Sequence, residues 1–330
     1  MKAMRLEKTG APLVLRDLPD PEPGPGQVRI RIEACGVCRT DLHIIDGELT
    51  PLRSPVTPGH EIVGVVEATG DNVPTLGLGA RVGVGWLGHT CRACAYCRHD
   101  QENLCDKPEF MGYSRDGGFA THAIADADFA YILPDGPPAA DLAPLLCAGL
   151  IGWRSLLFTD NASPLGLYGF GAAAHIVIQV ARWQARRVFA FTRPGDTAAQ
   201  ALAKALGAEW VGASGEIPPT ALGAAIIYAP VGELVPLALK QVRRGGRVIC
   251  AGIHMSDIPA FPYRDLWGER QIRSVANLTR SDAHDFLTLL PEIDLQVRTT
   301  CYPLAHANQA LDDLRAGRLQ GAAVLIPNQG

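Results

Sequence analysis

The sequence predicts an α/β protein in which a β-rich domain bearing zinc-competent side chains accompanies a doubly wound parallel sheet. Three observations predict it. Val28, Ile30 and Ile32 alternate with Arg29, Arg31 and Glu33 across residues 27–34, the period of two that a half-buried strand shows. Cys91, Cys94, Cys97 and Cys105 fall within fifteen residues of a polar loop, the density of a closed metal cage. From Leu165 onward, short apolar runs alternate with helix-prone stretches behind a glycine-rich turn, as βα units of a parallel sheet do.

Along the chain, the turn-rich passage 19–26 (PDPEPGPG) leads into the strand at 27–34, and 59–68 and 80–84 continue the β-rich part. Residues 165–175 (LGLYGFGAAAH) read as a strand, a glycine turn and a helix running to residue 184. A strand at 187–191 (RVFAF), a helix at 196–206 closed by Gly207, a strand at 224–228 (AAIIY), a helix at 233–242 and a strand at 246–251 (GRVICA) extend the alternation. A last helix is expected near 306–316.

The four-cysteine loop reads C-x2-C-x2-C-x7-C, and such spacers let one loop wrap a tetrahedral zinc. Disulfides would need an oxidising compartment, and residues 1–10 (MKAMRLEKTG) show no apolar leader. Iron–sulfur clusters also use two-residue spacers, but the bacterial run closes with C-x3-C-P, unlike the seven residues before Cys105. Arg92, Arg98, His99 and Asp100 make the loop too polar for inert buried thiols.

Three further candidate ligands, of two types, are dispersed: Cys38 in ACGVCRTDLH, His60 in PGHE and Cys147 in LLCAG. Catalytic zinc takes three protein ligands and keeps a fourth position open. Singly, Cys147 reads as a small buried hydrophobe and His60 as a satisfied polar residue. Asp41 and Glu61 strengthen the set, because ligand imidazoles are oriented by carboxylates. In the glycine turn, Gly169 supplies the tight turn, Gly171 lets backbone approach a pyrophosphate, and Ala174 permits close helix–strand packing. The helix N-terminus then faces phosphate charge.

Taken in this order, the motifs resemble the zinc-dependent medium-chain alcohol dehydrogenases, and the resemblance covers essentially the whole chain. It implies a GroES-like catalytic domain split over 1–148 and 277–330, an inserted Rossmann domain at 149–276, and an active site in the cleft between them. It implies a catalytic zinc on Cys38, His60 and Cys147 and a structural zinc on Cys91, Cys94, Cys97 and Cys105. Asp41 would hydrogen-bond His60, Glu61 would transiently approach the metal, and Thr40 and His43 would relay protons. Arg39, Gly169, Gly171, Ala172, Ala173, Thr192 and Arg193 would bind the cofactor. Without the resemblance, Thr40 reads as a strand-favouring residue and His43 as a solvated surface histidine. The chemistry implied is Lewis-acid lowering of an alcohol's pKa, with a hydroxyl-to-imidazole chain carrying the proton out of a dry pocket.

Two positions depart from the family pattern. The strand after the glycine turn should end in a ribose-binding acid, yet Thr192 and Arg193 stand there; that suits a 2′-phosphate, whereas the family's bacterial members favour NAD(H), the cofactor expected here. Ala322 replaces an arginine common among relatives, which shifts the pyrophosphate load to Arg39.

Net charge −4 supplies no basic field for nucleic acid, and no apolar run reaches the ~18 residues of a spanning helix. Of nine cysteines, six are assigned to zinc; Cys35, Cys250 and Cys301 are expected to be packing residues in a cytoplasmic protein. Trp86 is expected to narrow the pocket near the metal, with Thr40 and Leu42 nearby, or alternatively to pack the core at a strand end. The reading favours primary aliphatic or aromatic alcohols and aldehydes as substrates, with a homodimer or homotetramer implied by the family. A secondary-alcohol or polyol dehydrogenase and a non-catalytic zinc-thiolate redox sensor are the alternatives.

Overall fold

The structure, a computed structural model, describes residues 1–319 and 321–327; Gln320 and 328–330, within the expected tail of the first domain, lie outside the described residues. Two units form: Met1–Cys147 with Asn277–Pro291 and the chain from Val297, and Ala148–Ala276 with Glu292–Gln296. The second unit thus begins one residue before the expected 149 and takes in a short piece of the tail.

The first unit opens with the antiparallel pair β1 (Lys2–Arg5) and β2 (Val14–Asp17). β3 (Gln27–Val37) shows the predicted alternation, with Val28, Ile30 and Ile32 fully buried. It continues past the expected end at 34, because residues 35–37 still pair with a neighbouring strand. α1 (Arg39–Asp46) follows, then β4 (Glu61–Thr69), β5 (Arg81–Val84), the short pair β6 (Leu87–His89) and β7 (Glu109–Phe110), β8 (His122–Asp126), β9 (Ala130–Ile132) and α2 (Ala139–Leu142).

The second unit carries α3 (Ala148–Leu157), β10 (Leu165–Tyr168), α4 (Ala172–Trp183), β11 (Val188–Thr192), α5 (Thr197–Ala205), β12 (Trp210–Ala213), β13 (Leu222–Ile227), α6 (Leu234–Gln241), β14 (Val242–Cys250), α7 (Tyr263–Leu266) and β15 (Gln271–Ser274). Its six strands are all parallel in the order β12-β11-β10-β13-β14-β15. Counted within the unit this is 3-2-1-4-5-6, the Rossmann order, whose reversal between β10 and β13 opens a ligand crevice at the carboxyl ends of the strands. β10, β11 and β13 are buried along their whole length, as both-sided coverage of a parallel sheet demands.

The chain then returns to the first unit through α8 (Arg280–Leu289), β16 (Thr299–Pro303), α9 (Ala307–Arg315) and β17 (Ala322–Ile326). There a seven-stranded sheet runs β16-β17-β3-β4-β5-β9, with β8 also paired to β3. The antiparallel register of β3 on β4 sets Cys35 opposite Ile62 and Gly36 opposite Glu61. That pairing positions the site: Cys38 lies one residue beyond β3 and His60 one before β4, so the ladder brings them side by side. No single helix among the described residues is long and apolar enough to cross a membrane.

Candidate metal and cofactor sites

Cys38 is the N-cap of α1, in extended backbone geometry, and its Sγ accepts a hydrogen bond from the Thr40 N–H at 3.3 Å. Asp41, the third helical residue, returns its carboxylate to the Cys38 N–H at 2.9 Å, completing a capping box. Its other oxygen accepts from the Gly59 N–H at 3.1 Å and lies 3.3 Å from His60 Nδ1. The opposite ring nitrogen, Nε2, is 3.2 Å from Cys38 Sγ, so one edge of the imidazole faces the sulfur while the other stands beside the carboxylate without the expected hydrogen bond, Nδ1 having no hydrogen-bond partner.

Cys147 arrives from a different direction. The turn Ala143–Leu146 is fully buried and packs on β3, β4 and β5, and Cys147 closes it outside helical geometry. Ligand atoms of Cys38, His60, Glu61 and Cys147 all lie within 4.8 Å of one another. Glu61 is seated against Gly36, where a Cβ would fall 1.7 Å from its Oε2.

The electrostatics match a donor set built around a cation. A hydrogen bond from Cys147, with the His60 charge, holds the Cys38 thiol well below the ordinary range against the effect of burial. Cys147 is pushed well up by that same bond to Cys38 and by burial. Burial, with the Cys38 charge, lifts Glu61 well above the usual carboxylate range. Burial also dominates at Asp41, which is raised although His60 opposes it. Four acidic groups crowded into one dry place favour a divalent ion, and two sulfurs with an imidazole suit zinc better than magnesium or calcium. The residues fit the metal that the sequence implied.

The second cluster lies in the loop between β6 and β7. Cys105 Sγ is 3.5 Å and Cys97 Sγ 4.0 Å from Cys91 Sγ. Sulfurs at about 2.3 Å from a tetrahedral zinc stand roughly 3.8 Å apart, far beyond the ~2.05 Å of a disulfide bond. All nine cysteines are free. Backbone N–H groups point at the sulfurs, from Cys94 to Cys91 and from Cys91 and Lys107 to Cys105, each at 3.3 Å. N–H donors from Cys97 and Asp106 hold Cys94 down to about 6, while burial and a bond to Cys94 push Cys97 up to about 12. The cage geometry fits a closed four-sulfur zinc shell.

In the second unit, Gly169 follows β10 at φ +86°, and a Cβ there would meet the Ala229 backbone nitrogen at 2.9 Å. Gly171 is the N-cap of α4; no side chain caps that end, and nothing lies within 4 Å of where its Cβ would be. Ala172 and Ala173 form the half-buried first turn, and Ala174 is fully buried against the sheet. An open helix N-terminus with unencumbered N–H groups suits a pyrophosphate. Thr192 ends β11 but is buried, donating to the Arg193 carbonyl at 3.1 Å and accepting from Gln200 at 3.1 Å. The Arg193 side chain is 90% exposed, 3.6 Å from Asp196.

Among the remaining expected residues, Arg39 is the exposed first residue of α1, and Thr40 is buried one turn before His43. Trp86 meets His60 edge-on, ring centres 5.1 Å apart, and stacks on Phe110 and Tyr113 at 4.9 and 5.8 Å. Leu42 is buried in the core cluster against which Trp86 packs. Cys35 is buried as expected, but Cys301 is exposed, because β16 is a sheet edge with its middle residues turned outward. Sequence reasoning missed Phe110, Tyr113 and Glu48. Glu48 bonds His43 Nδ1, and the one signal that could have found it is Gly47, a helix stop that turns the next residue back.

Residues 24–135 match the alcohol dehydrogenase GroES-like domain family. The chain is 47% identical over 314 residues to a probable alcohol dehydrogenase, AdhA, of Mycobacterium tuberculosis, covering 93% of this chain and 90% of that one. It is 35% identical over 340 residues to an alcohol dehydrogenase of Geobacillus stearothermophilus, covering 98% and 99%. Its fold is similar to the cobalt- and zinc-bound thermostable alcohol dehydrogenase from Pyrobaculum aerophilum, with TM-score 0.88, 25% identity and 99% of both chains covered.

Proposed function

Because the chain belongs to the zinc-type medium-chain alcohol dehydrogenase family, we propose that it transfers hydride reversibly between a primary alcohol or its aldehyde and a nicotinamide cofactor, with zinc on Cys38, His60 and Cys147. The observation that carries this reading is the convergence of those three side chains and Glu61 within 4.8 Å. Zinc there would supply Lewis acidity, making an alcohol proton easier to lose, and an oxidised nicotinamide would accept the hydride.

This chain's own residues do the rest. The Asp41 carboxylate, 3.3 Å from Nδ1, favours the tautomer with the proton on that nitrogen and leaves Nε2 for the metal. Glu61, packed over Gly36, would lie within reach of the ion. Thr40 and His43, three residues apart on α1, share a helix face and relay the proton away from the buried reaction centre. Trp86, edge-on to His60, forms an apolar wall that suits aliphatic and aromatic substrates over polyols.

Gly169, Gly171, Ala172 and Ala173 hold the cofactor pyrophosphate, with Arg39 as a further phosphate contact. Thr192 and Arg193 flank the adenosine ribose, and NAD(H) is the preferred form: Asp196 partly counters the Arg193 charge that a 2′-phosphate would need. Cys91, Cys94, Cys97 and Cys105 hold a structural zinc. A homodimer or homotetramer fits the exposed Tyr263 and Trp267 beside the edge strand β15, and zinc-binding thiolates suit the cytoplasm, where thiols stay reduced.

The test is a matrix of hexanol, benzyl alcohol, 2-butanol and sorbitol against NAD+ and NADP+ on zinc-loaded protein, with metal analysis. About two zincs per chain, and preference for hexanol or benzyl alcohol with NAD+, are expected. Preference for sorbitol would overturn the substrate class, and a large kcat/KM advantage for NADP+ would overturn the cofactor choice.

A further inference from the structure

α1 ends at Asp46, and Gly47 reverses the chain at φ +81° with its N–H on the Ile44 carbonyl. The turn is pinned on both sides. The Leu49 N–H donates to the His43 carbonyl at 3.1 Å and the Gly10 N–H to that of Ile45 at 2.7 Å. A Cβ on Gly47 would fall 2.5 Å from Thr9 Cγ2, so only glycine makes this reversal without moving its neighbour. The effect is to lay Glu48 back along the helix, where Oε2 meets His43 Nδ1.

Exposure rises along this face in a definite order. Thr40 is buried, the His43 side chain is 17% exposed, and that of Glu48 is 57% exposed. Asp46, which shares the last turn, is engaged elsewhere, accepting from Arg315 at 2.8 Å. A hydroxyl, an imidazole and a carboxylate therefore run from the buried end of α1 to water.

We infer that Glu48 is a positioning residue and proton exit for the relay, holding His43 through Nδ1 and passing its proton to solvent. The inference rests on the relay proposed above. In alcohol oxidation the substrate O–H and C–H bonds both break: the hydride, with its electron pair, goes to the oxidised nicotinamide, and the proton must leave. It passes to the Thr40 hydroxyl, which releases its own proton to one ring nitrogen of His43. The Nδ1–H bond then breaks toward the Glu48 carboxylate, which gives the proton to water; the imidazole ends neutral with its proton on the other nitrogen, and exchange with water or a ring flip restores the starting tautomer before the next turnover. Water alone could serve an exposed imidazole, but His43 is mostly covered, and Glu48 occupies its covered-to-open edge.

The test is Glu48→Gln, which keeps a polar group of the same size but cannot take the proton. At low buffer concentration, kcat for alcohol oxidation should fall roughly tenfold, below the 10²–10⁴ attributed to a whole general acid–base group, with KM for the alcohol unchanged. Raising the concentration of a small buffer base such as imidazole should restore kcat. Glu48→Asp should recover part of the rate without added base. In a His43→Ala background, Glu48→Gln should add nothing, since the two act in series. A merely structural role would lower thermal stability and show no buffer rescue. Equal turnover of Glu48→Gln and wild type at every buffer concentration would overturn the inference. Absence of alcohol oxidation in the wild type would instead overturn the function on which it rests.

Discussion

Asp41→Asn separates the two roles that one carboxylate plays. Its oxygens receive the Cys38 N–H at 2.9 Å and the Gly59 N–H at 3.1 Å, and one lies 3.3 Å from His60 Nδ1. An asparagine amide offers one oxygen and two N–H donors. If the oxygen faces Gly59 and His60, the NH2 confronts the Cys38 N–H and strands one buried donor. The flipped amide strands two groups, so the first orientation wins. Leaving a single buried donor unpaired costs about 1–3 kcal/mol, which should lower the denaturant midpoint of metal-loaded and metal-stripped protein alike. The second effect is on the metal. Without the anion beside Nδ1 the imidazole is a poorer ligand, and losing such a partner weakens metal binding by roughly 10- to 100-fold. Chelator competition on the site without Cys91–Cys105 ligands, compared with unfolding curves, reads the two effects independently. Unchanged metal affinity in Asp41→Asn would refute the claim that this carboxylate orients a ligand, whatever happened to stability.

Cys94→Ser should remove about one zinc per chain and lower the unfolding temperature; normal thermal unfolding would contradict a structural cage. Gly36→Ala drives a Cβ to 1.7 Å from Glu61 Oε2 and 2.7 Å from its Cδ, inside a buried strand. It should cost about 1–3 kcal/mol as overpacking, seen as a lower urea midpoint with reduced turnover. An acid-stability prediction rests on Asp126. Burial pushes its carboxyl up, but Arg115, with His89 and Gln27, more than offsets that and leaves it below the ordinary range. A lowered folded-state pKa stabilises above the unfolded value of about 3.9 and loses that contribution as pH falls through the folded value. The urea midpoint should therefore drop on acidification below that value, with a shallower drop in Asp126→Asn; identical slopes would refute the assignment.

Much of this fold was legible because the signals were local. β3 alternates over its first eight residues, and the glycine turn fixes where β10 ends and α4 begins. What escaped lacked a pattern. β15 reads Gln-Ile-Arg-Ser at a sheet edge with only Ile272 half-covered, so neither period two nor an apolar run marks it; β12 is another four-residue edge. α8 did carry a signal that went unread, the capping box of Thr279 and Asp282. The ligand types were readable from motif, but their meeting was expected only through the family resemblance, because it depends on the β3–β4 register and on a buried turn ahead of Cys147. The aromatic stack of Trp86, Phe110 and Tyr113 depends likewise on a loop returning over β6.

The concentration of chemistry on α1 follows from how a helix begins. The N-cap residue must leave helical geometry and offer an acceptor to the first free N–H groups. Using Cys38 there means that the donors which start the helix also neutralise a thiolate, and helix N-termini lower thiol pKa for that reason. The third helical residue must answer with an acceptor for the cap's own N–H, and Asp41 does so at 2.9 Å. A carboxylate pinned by that bond has its second oxygen fixed in space, and the β3–β4 ladder delivers Gly59 and His60 to it. Helix formation thus preorganises one ligand and orients another before any ion binds. Two further residues on the same helix, Thr40 and His43, inherit fixed positions from that anchored start, so their spacing depends on helical geometry rather than on a mobile loop. The eight-residue length then matters: the helix stops at Gly47 just where the chain must turn back for a carboxylate to reach His43.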